Sequence, residues 1–428
     1  MEQTEEIRPV ERQPYDVVVV GAGAAGLMAA GTAARNGKRV LLLEKMEKSG
    51  RKVRITGKGR CNVTNARPAE EFAAHLRAHA EFFAPAFAEF NNRSTIRFFE
   101  RQGVRLSVER GERVFPASGK AWDIANGLLD YCVENGVKIL YETRVVEILT
   151  LAGRVFGVRY VNKRGFTRKE ECAQVIVATG GVSYPATGST GDGYAFAADL
   201  GHTVEPLRPS LTPLVTSHPQ MRFLHGLLLR NVRATLSVDG EPVREEFGEI
   251  GFSERGIEGA VALRLSRTAV DALIDGRRVK LTLDLKPALT EEILRERIAR
   301  ERSEMDEKEF FAELVRKLVP KPLVMPLCRE IDIHSKDYLS RLTEAQVDRL
   351  IRTLKGFAFP ITDYAPFEYA VVTAGGVCCD EVNPRTLESL KVPGLYFAGE
   401  VLDLDADTGG YNLQIAFSTG HLAGMLKK

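Results

Sequence analysis

The chain has 428 residues, of which 44% are hydrophobic and 27% charged, and its formal net charge is +2. That length exceeds one simple core and points to two or three domains of ordinary globular composition. The small total neither demands nor excludes a polyanionic partner, so the placement of charge matters more than its sum.

The first 14 residues are polar and charged and hold no apolar signal-peptide core. Val17–Ala34, the longest apolar stretch, is broken by four glycines and reads as a buried strand–helix unit, not a membrane span. The six cysteines (Cys61, Cys132, Cys172, Cys328, Cys378, Cys379) form no C-x-x-C pair and no metal-ligand spacing with histidine. Cys378 and Cys379 on a strand would point to opposite faces, which argues against a redox dithiol. Buried free thiols in a reducing cytoplasm are the expectation.

Tyr15–Val20 is a β-branched strand that runs into Gly21-Ala22-Gly23-Ala24-Ala25-Gly26, then a helix from Leu27 to Arg35, then a second strand ending at Glu44. In that context the glycine pattern has a mechanism. Gly21 permits a tight turn, Gly23 lets backbone approach a pyrophosphate, and Gly26 lets helix and strand pack closely. The helix amino end offers N–H groups to phosphates, and Glu44 stands near the spacing of a carboxylate that accepts from a ribose diol. A glycine-rich turn with no ligand would not account for strand, glycines, helix and terminal acid together.

Residues 45–65 are glycine-rich and predict a loop, with Lys48, Arg51, Lys52, Arg54, Lys58 and Arg60 crowded into thirteen positions. Such a run can be a mere solvated loop, but this one leaves the second strand where a ligand at the first turn would continue. Helices are predicted within 70–103, strands within 104–114 with a turn at Gly111-Glu112, a helix over 121–133, and two strand segments over 137–149. A hairpin follows (153–160 and 166–172), then a buried strand, Gln174–Val177, entering Ala178-Thr179-Gly180-Gly181. Gly188–Gly193 opens a helix through Leu200. His75, His79 and His334 fall in surface contexts and read as solvated.

From about Pro209 the texture changes to period-two alternation, with a hairpin signal at Asp239-Gly240. A helix (259–272), a strand (279–285), two charged helices (290–318, with Phe310, Phe311, Leu314, Val315 and Leu318 at helical spacing) and a helix at 344–354 capped by Thr343 complete an inserted β-then-helical domain over 209–356. Residues 1–208 and 357–428 form the two parts of the flanking domain. In the second part, 368–376 and 394–400 are strands entering glycines, and Gly409-Gly410 opens a terminal helix. The fold class is α/β, a Rossmann-like domain interrupted by a β + α insertion.

Three glycine-terminated strands (16–26, 174–181, 394–400) are candidates for one sheet edge, and ligands of open α/β sheets bind at such carboxyl ends. Two phosphates, a ribose and a large flat ring would use more of that edge than a nicotinamide dinucleotide needs, which favours FAD. Glu400 after Gly399 suits a ribityl or pyrophosphate-side hydrogen bond. The helix after Gly409-Gly410 can aim its dipole at the pyrimidine end of a flavin.

The first glycine turn, the run Gly50–Asn65 with Gly59-Arg60-Cys61-Asn62-Val63-Thr64-Asn65, Ala178–Gly181 with Gly188–Gly193, and the ending Gly394–Gln414 with Thr408-Gly409-Gly410-Tyr411-Asn412-Leu413-Gln414 resemble the BaiN/RdsA-type bacterial NAD(P)/FAD-dependent oxidoreductases over nearly the whole chain. The resemblance implies a non-covalent FAD in a two-part Rossmann-like domain, with an insertion that covers the flavin. It further implies activities ranging from bile-acid ring reduction and aminoacetone oxidation to reduction of a uridine in ribosomal RNA. Where the family usually carries a Thr-His-x-Gly-(Ile/Leu)-Ser-Gly-Pro-like run, this chain has Ser253-Glu254-Arg255-Gly256-Ile257-Glu258-Gly259-Ala260, with Glu254 and Ala260 at the histidine and proline positions.

The cofactor-binding positions so indicated are Gly21, Gly23, Ala24, Ala25, Gly26, Glu44, Lys45, Gly50, Arg51, Lys52, Thr56, Gly57, Arg60, Cys61, Asn62, Val145, Thr179, Gly180, Gly181, Gly399, Glu400, Gly409, Gly410, Tyr411 and Asn412. Arg60, Asn62, Tyr184, Glu254 and Asn412 are the polar candidates for substrate contact, and none has the spacing of an acid/base pair. The leading expectation is hydride transfer through flavin N5 to a small-molecule substrate, with reduced NAD(P)H as a transient donor although no second dinucleotide turn is present. An RNA-modifying flavoenzyme that uses the basic residues (Arg277-Arg278 and Arg295–Arg302 among them) on phosphates, an oxygen-using amine oxidase, and a non-catalytic flavin sensor are the alternatives.

Overall fold

The structure, a computed structural model, describes residues 14–426, so all but one of the polar opening residues lie outside the described part. The chain divides into two compact units, one made of residues up to Leu207 and from Thr373, the other of Arg208–Val372.

The first unit is built on a seven-stranded sheet. Val17–Val20 are all buried, as a parallel strand covered on both faces must be. That first strand, Tyr15–Val20, lies between Val40–Leu43 and the carboxyl half of a long strand, Thr167–Val177, and both pairings are parallel. Leu395–Phe397 adds in parallel to the other side of Val175–Val177. The three glycine-terminated strands are therefore neighbours pointing the same way. The amino half of Thr167–Val177 instead pairs antiparallel with Arg154–Val161, so the second strand of the expected hairpin and the buried strand are one continuous element.

Helix Ala24–Arg35 is rich in alanine and glycine, and the carboxy-terminal helix Tyr411–Met425 lies against it. A Cβ at Gly420 would stand 2.4 Å from Ala25 O, and one at Gly424 would stand 2.4 Å from Ala29 O. Only glycine admits so close an approach. Small residues thus bring the two ends of the chain together.

Two local expectations change. Residues 45–65 are not all loop, because Arg51–Ile55 forms a short helix that buries Val53. Cys378 and Cys379 are not on a strand; Cys379 begins a 3-10 turn and is buried, while Cys378 is partly exposed. The cysteines are free, and burial lifts the Cys61 thiol to about 12.

The second unit holds a closed six-stranded barrel in the order Leu214–Thr216, Gly256–Glu258, Glu241–Ser253, Leu228–Val238, Val279–Asp284 and Phe357–Tyr364. The hairpin at Asp239-Gly240 forms as expected, with Val238 paired to Glu241. The sequence reading ends the insertion at 356, yet Phe357–Tyr364 pairs with both Val279–Leu283 and Leu214–Thr216 and closes the barrel. The sequence reading names no strand over 357–364, and one of its two partners, Leu214–Thr216, lies more than a hundred residues upstream where local pattern cannot reach. Helix Ala260–Ile274 and four helices between Glu291 and Lys355 accompany the barrel. Thr343 and Gln346 form a reciprocal capping box. Phe310 precedes its helix and is 38% exposed, whereas Phe311, Leu314, Val315 and Leu318 are buried.

Candidate functional site

At the first glycine turn each glycine meets a different constraint. Gly21 has φ +98°, and a Cβ there would come within 2.7 Å of Ala178 O. A Cβ on Gly26 would lie 1.8 Å from Gly21 O, so helix and turn touch backbone to backbone. A Cβ on Gly23 would meet nothing within 4 Å, and no side chain caps the helix amino end that follows. Open space and unclaimed N–H groups therefore coincide at Gly23, Ala24 and Ala25, where an anion is favoured.

Glu44 directly follows the second strand, Val40–Leu43, and leans over this turn, accepting from Ala22 N at 2.7 Å and Met46 N at 2.8 Å. Burial raises its pKa, against the lowering effect of those two N–H groups. Gly50 N donates back to Ala22 O at 2.8 Å, which fixes the entry of the basic segment beside the turn.

The basic segment is largely neutralised within the unit. Arg51 pairs with Glu47, Arg60 pairs with Glu109 and lies over the Phe115 ring at 4.4 Å, and Lys45 Nζ reaches Asp192 Oδ2 at 2.7 Å. Thr56 Oγ1 donates to Val53 O at 2.7 Å, and Gly57 is exposed with left-handed φ. Lys52 Nζ lies 3.0 Å from both Ser183 Oγ and Glu400 Oε2. Glu400 Oε1 accepts from Ser183 Oγ at 2.7 Å and from Thr373 N at 2.9 Å. Burial alone would raise the Glu400 carboxyl, but Lys52, Ser183 and the Thr373 N–H outweigh it and hold it below the ordinary carboxylate range. Glu400 thus ties the short helix, the turn after Thr179 and the strand at Thr373 to the end of Leu395–Phe397.

Gly180 and Gly181 sit in this knot, where a Cβ on Gly181 would be 2.4 Å from Thr373 Oγ1. Thr373 Oγ1 accepts from Val182 N at 2.9 Å and Ser183 N at 3.1 Å. Gly399, at φ +78°, would place a Cβ 2.7 Å from that of Ala25, and its N–H donates to Thr419 Oγ1 at 2.9 Å. The third strand end is therefore fastened to both terminal helices.

At the carboxy-terminal turn a Cβ on Gly410 would lie 2.4 Å from Thr64 O, and Asn65 Nδ2 donates to Gly409 O at 3.1 Å. Thr64 Oγ1 donates to Gln414 Oε1 at 2.6 Å. No side chain caps the helix that starts at Tyr411. Burial pushes the Tyr411 phenol up to about 12. Asn412 is spent on the backbone, with contacts to Ala406 N (3.0 Å), Ala406 O (2.9 Å) and Asp407 O (3.3 Å). Asn62 Oδ1 and Thr179 Oγ1 are buried acceptors with no hydrogen-bond partner among the described residues, and such atoms ordinarily find one.

The structure therefore gathers Gly21–Gly26, Glu44, Lys45, Gly50, Lys52, Thr179–Gly181, Gly399 and Glu400 around adjacent strand ends, with Asn62 leading into the segment that meets Gly409–Asn412. Val145 is buried on the strand Arg144–Leu151, and the Arg51 and Arg60 guanidiniums turn to carboxylates. Tyr184 is left-handed ahead of a 3-10 turn. Glu254 is exposed at the tip of a hairpin in the second unit, and Ala260 starts the helix that follows it. Sequence reasoning missed Ser183, Thr373 and Asp192; Thr373 stood inside a recognised strand, but nothing local marks a hydroxyl that caps a turn nearly two hundred residues away.

An open cradle at Gly23, a carboxylate arching over it and two orphaned acceptors fit a dinucleotide cofactor larger than the turn itself. The HI0933-like protein Rossmann domain family matches residues 15–426. A 3-dehydro-bile acid delta(4,6)-reductase of Clostridium scindens is 34% identical over 412 residues, covering 95% of this chain and 97% of that protein. A ribosomal RNA dihydrouridine synthase of Haemophilus influenzae is 30% identical over 411 residues, with 95% and 97% coverage. Among solved structures, a 3-ketosteroid delta1-dehydrogenase from Sterolibacterium denitrificans aligns over 96% of this chain and 99% of its own at a TM-score of 0.53 and 13% identity, a likeness of fold alone.

Proposed function

From the premise that this chain belongs to the HI0933-like Rossmann family and is an FAD-dependent oxidoreductase, we propose that it uses a reduced nicotinamide to add a hydride, followed by a proton from solvent, to a small-molecule substrate. The observation that carries this is the convergence of three glycine-terminated parallel strands with the amino ends of both terminal helices. FAD held there would supply a hydride carrier working through its N5.

The chain's own residues supply the rest. Gly23 keeps the approach to the first helix clear, and the amides after it receive the phosphates. Glu44 offers acceptor lone pairs to a ribose diol, and the Lys52–Glu400–Ser183 knot fixes the middle strand end. The uncapped amino end of Tyr411–Met425 favours negative charge, which develops when a flavin ring is reduced. Two of the relatives, a delta(4,6)-reductase and a ribosomal RNA dihydrouridine synthase, carry names of a reduction and of a reduced product, which supports reduction over amine oxidation.

The purified protein is expected to be yellow and to bleach under nitrogen on addition of NADH or NADPH, with colour returning when an unsaturated ketosteroid is supplied. A colourless protein that takes up no FAD would overturn the cofactor assignment, and a yellow one that neither nicotinamide bleaches would overturn the donor. A second reading, uridine reduction in ribosomal RNA, draws on the Haemophilus influenzae relative. It predicts RNA binding that weakens steeply with salt. Pairing of Arg51, Lys52 and Arg60 with carboxylates leaves that part of the basic segment less charge for phosphates.

A further inference from the structure

Residues 74–79 connect two helices, Ala69–Ala73 and Ala80–Glu89, within the stretch 70–103 that the sequence reads as helical, with His75 and His79 in surface contexts. In the structure they form a strap on the loop 403–407. Leu76 and Ala406 make an antiparallel bridge, Arg77 N donates to Asp405 O at 2.9 Å, and Asp407 N donates to His75 O at 2.9 Å. Side chains repeat the pairing. His75 Nδ1 is 3.0 Å from Asp407 Oδ2, the Arg77 guanidinium holds Asp407 Oδ1, and His79 Nε2 is 3.1 Å from Asp403 Oδ2. The expectation that His75 and His79 are simply solvated is thereby corrected, because both imidazoles are engaged by carboxylates that local sequence cannot bring near.

Asp407 is the centre of this clamp, its side chain only 5% exposed. It immediately precedes Thr408-Gly409-Gly410, the turn that opens the carboxy-terminal helix. Gly409 and Gly410 have φ of +137° and +98°, and glycine adds no side-chain stiffness of its own. What holds the turn comes from either side of it. The His75 ring stacks on Tyr411, the first helical residue, at 4.3 Å between centroids and 25° between planes. His75 therefore touches the residue before the two-glycine turn and the residue after it. Asn412 reaches back to the backbone of Ala406 and Asp407. Asn62, whose buried side-chain Oδ1 lacks a partner among the described residues, lies two residues before Thr64, the residue that Gly410 abuts.

We infer that Asp407, with His75 and Arg77, is a positioning residue that fixes where the amino end of the carboxy-terminal helix points, and so how strongly this chain favours the reduced over the oxidised state of a flavin. The inference rests on the FAD assignment above. Asp407 touches no reacting atom; it acts through the helix whose field falls off within one turn, so a small displacement of that end changes what it stabilises.

The test is the midpoint potential of protein-bound FAD in the full chain, with D407N and H75F compared to the parent. D407N removes the charge that holds Arg77 and His75. H75F keeps a ring on Tyr411 but loses the bond to Asp407. In D407N the preference for reduced over oxidised FAD is expected to fall about tenfold, a drop of about 30 mV for a two-electron couple, together with a shift of the flavin absorption band. In H75F the same preference should fall in the same direction by a smaller factor. Should D407N not fold, H75F alone decides. Lowered thermal stability with unchanged potential and spectrum would make the clamp purely structural and overturn the inference. A parent chain that takes up no FAD at all would instead fail the functional reading, a result told apart from the first by its lack of colour.

Discussion

At the first glycine turn, the contacts that demand glycine are backbone atoms: Gly21 O against Gly26, and Ala178 O against Gly21. At the carboxy-terminal turn the backbone of Thr64 plays that part for Gly410, but the turn is held in place by side chains of Asn65, His75, Asp407 and Asn412 drawn from two ends of the chain. The first device has its tightest contact, Gly26 against Gly21 O, within six residues. The second exists only after residues three hundred positions apart have met. A local device is written in a short motif and breaks when one atom is added; a distributed one has no short motif and fails by degrees.

The sharpest way to break the first is Gly26→Ala. A methyl 1.8 Å from a carbonyl oxygen cannot be accommodated without moving the helix, and a loss of about 3 kcal/mol or more is expected in denaturant unfolding. A loss under about 1 kcal/mol would show that the backbones do not touch. Gly23→Ala separates binding from folding at the same turn. Its methyl meets nothing, so stability should stay within about 0.5 kcal/mol. FAD affinity in a fluorescence titration should nonetheless fall about a hundredfold, about 2.7 kcal/mol.

A distributed clamp that involves no ligand joins Glu381 to Thr203 and Lys391. Burial pushes the Glu381 carboxyl up, but Lys391 with the Thr203 N–H and hydroxyl outweighs it and brings the value from 4.5 down to about 2. Because the folded value is the lower one, this contribution is complete above pH 4.5 and is lost as pH falls towards 2. Lys391→Met should cost about 1 kcal/mol at neutral pH, given the partial exposure of the lysine, and should move acid unfolding to higher pH. An acid transition that stays where it was would remove Lys391 from the clamp.

The smallest effect is expected at Arg60. Its guanidinium, 49% exposed, is turned to Glu109, and Arg60→Ala should change stability by less than about 1 kcal/mol. FAD affinity should stay within twofold. A tenfold fall would return Arg60 to the cofactor site, where its place in the motif had put it.

These contrasts also explain what could be read in advance. Period and turn chemistry located the first strand, its glycine turn, the Asp239-Gly240 hairpin and the Thr343 cap, since each is decided by neighbours in sequence. The common edge of Val20, Val177 and Phe397 was legible because each strand runs into glycine. The last barrel strand, the docking of His75 on Asp407 and the capping role of Thr373 were not. Each depends on a partner that only tertiary structure supplies, and a histidine, a threonine or a short apolar run is compatible with many surroundings. Lys52 and Glu400 were both singled out as cofactor contacts, but no spacing rule says that they face each other.

Strand Leu395–Phe397 completes its sheet by lying against Val175–Val177, and the whole of Arg208–Val372 is encoded between them. As the polypeptide leaves the ribosome, the barrel and its helices are therefore available to fold while the earlier sheet still has a bare flank. A stop codon between about residue 372 and Leu395 would release a chain with one finished module and one permanently open β-edge at Val175–Val177, the kind of surface on which chains stick to one another.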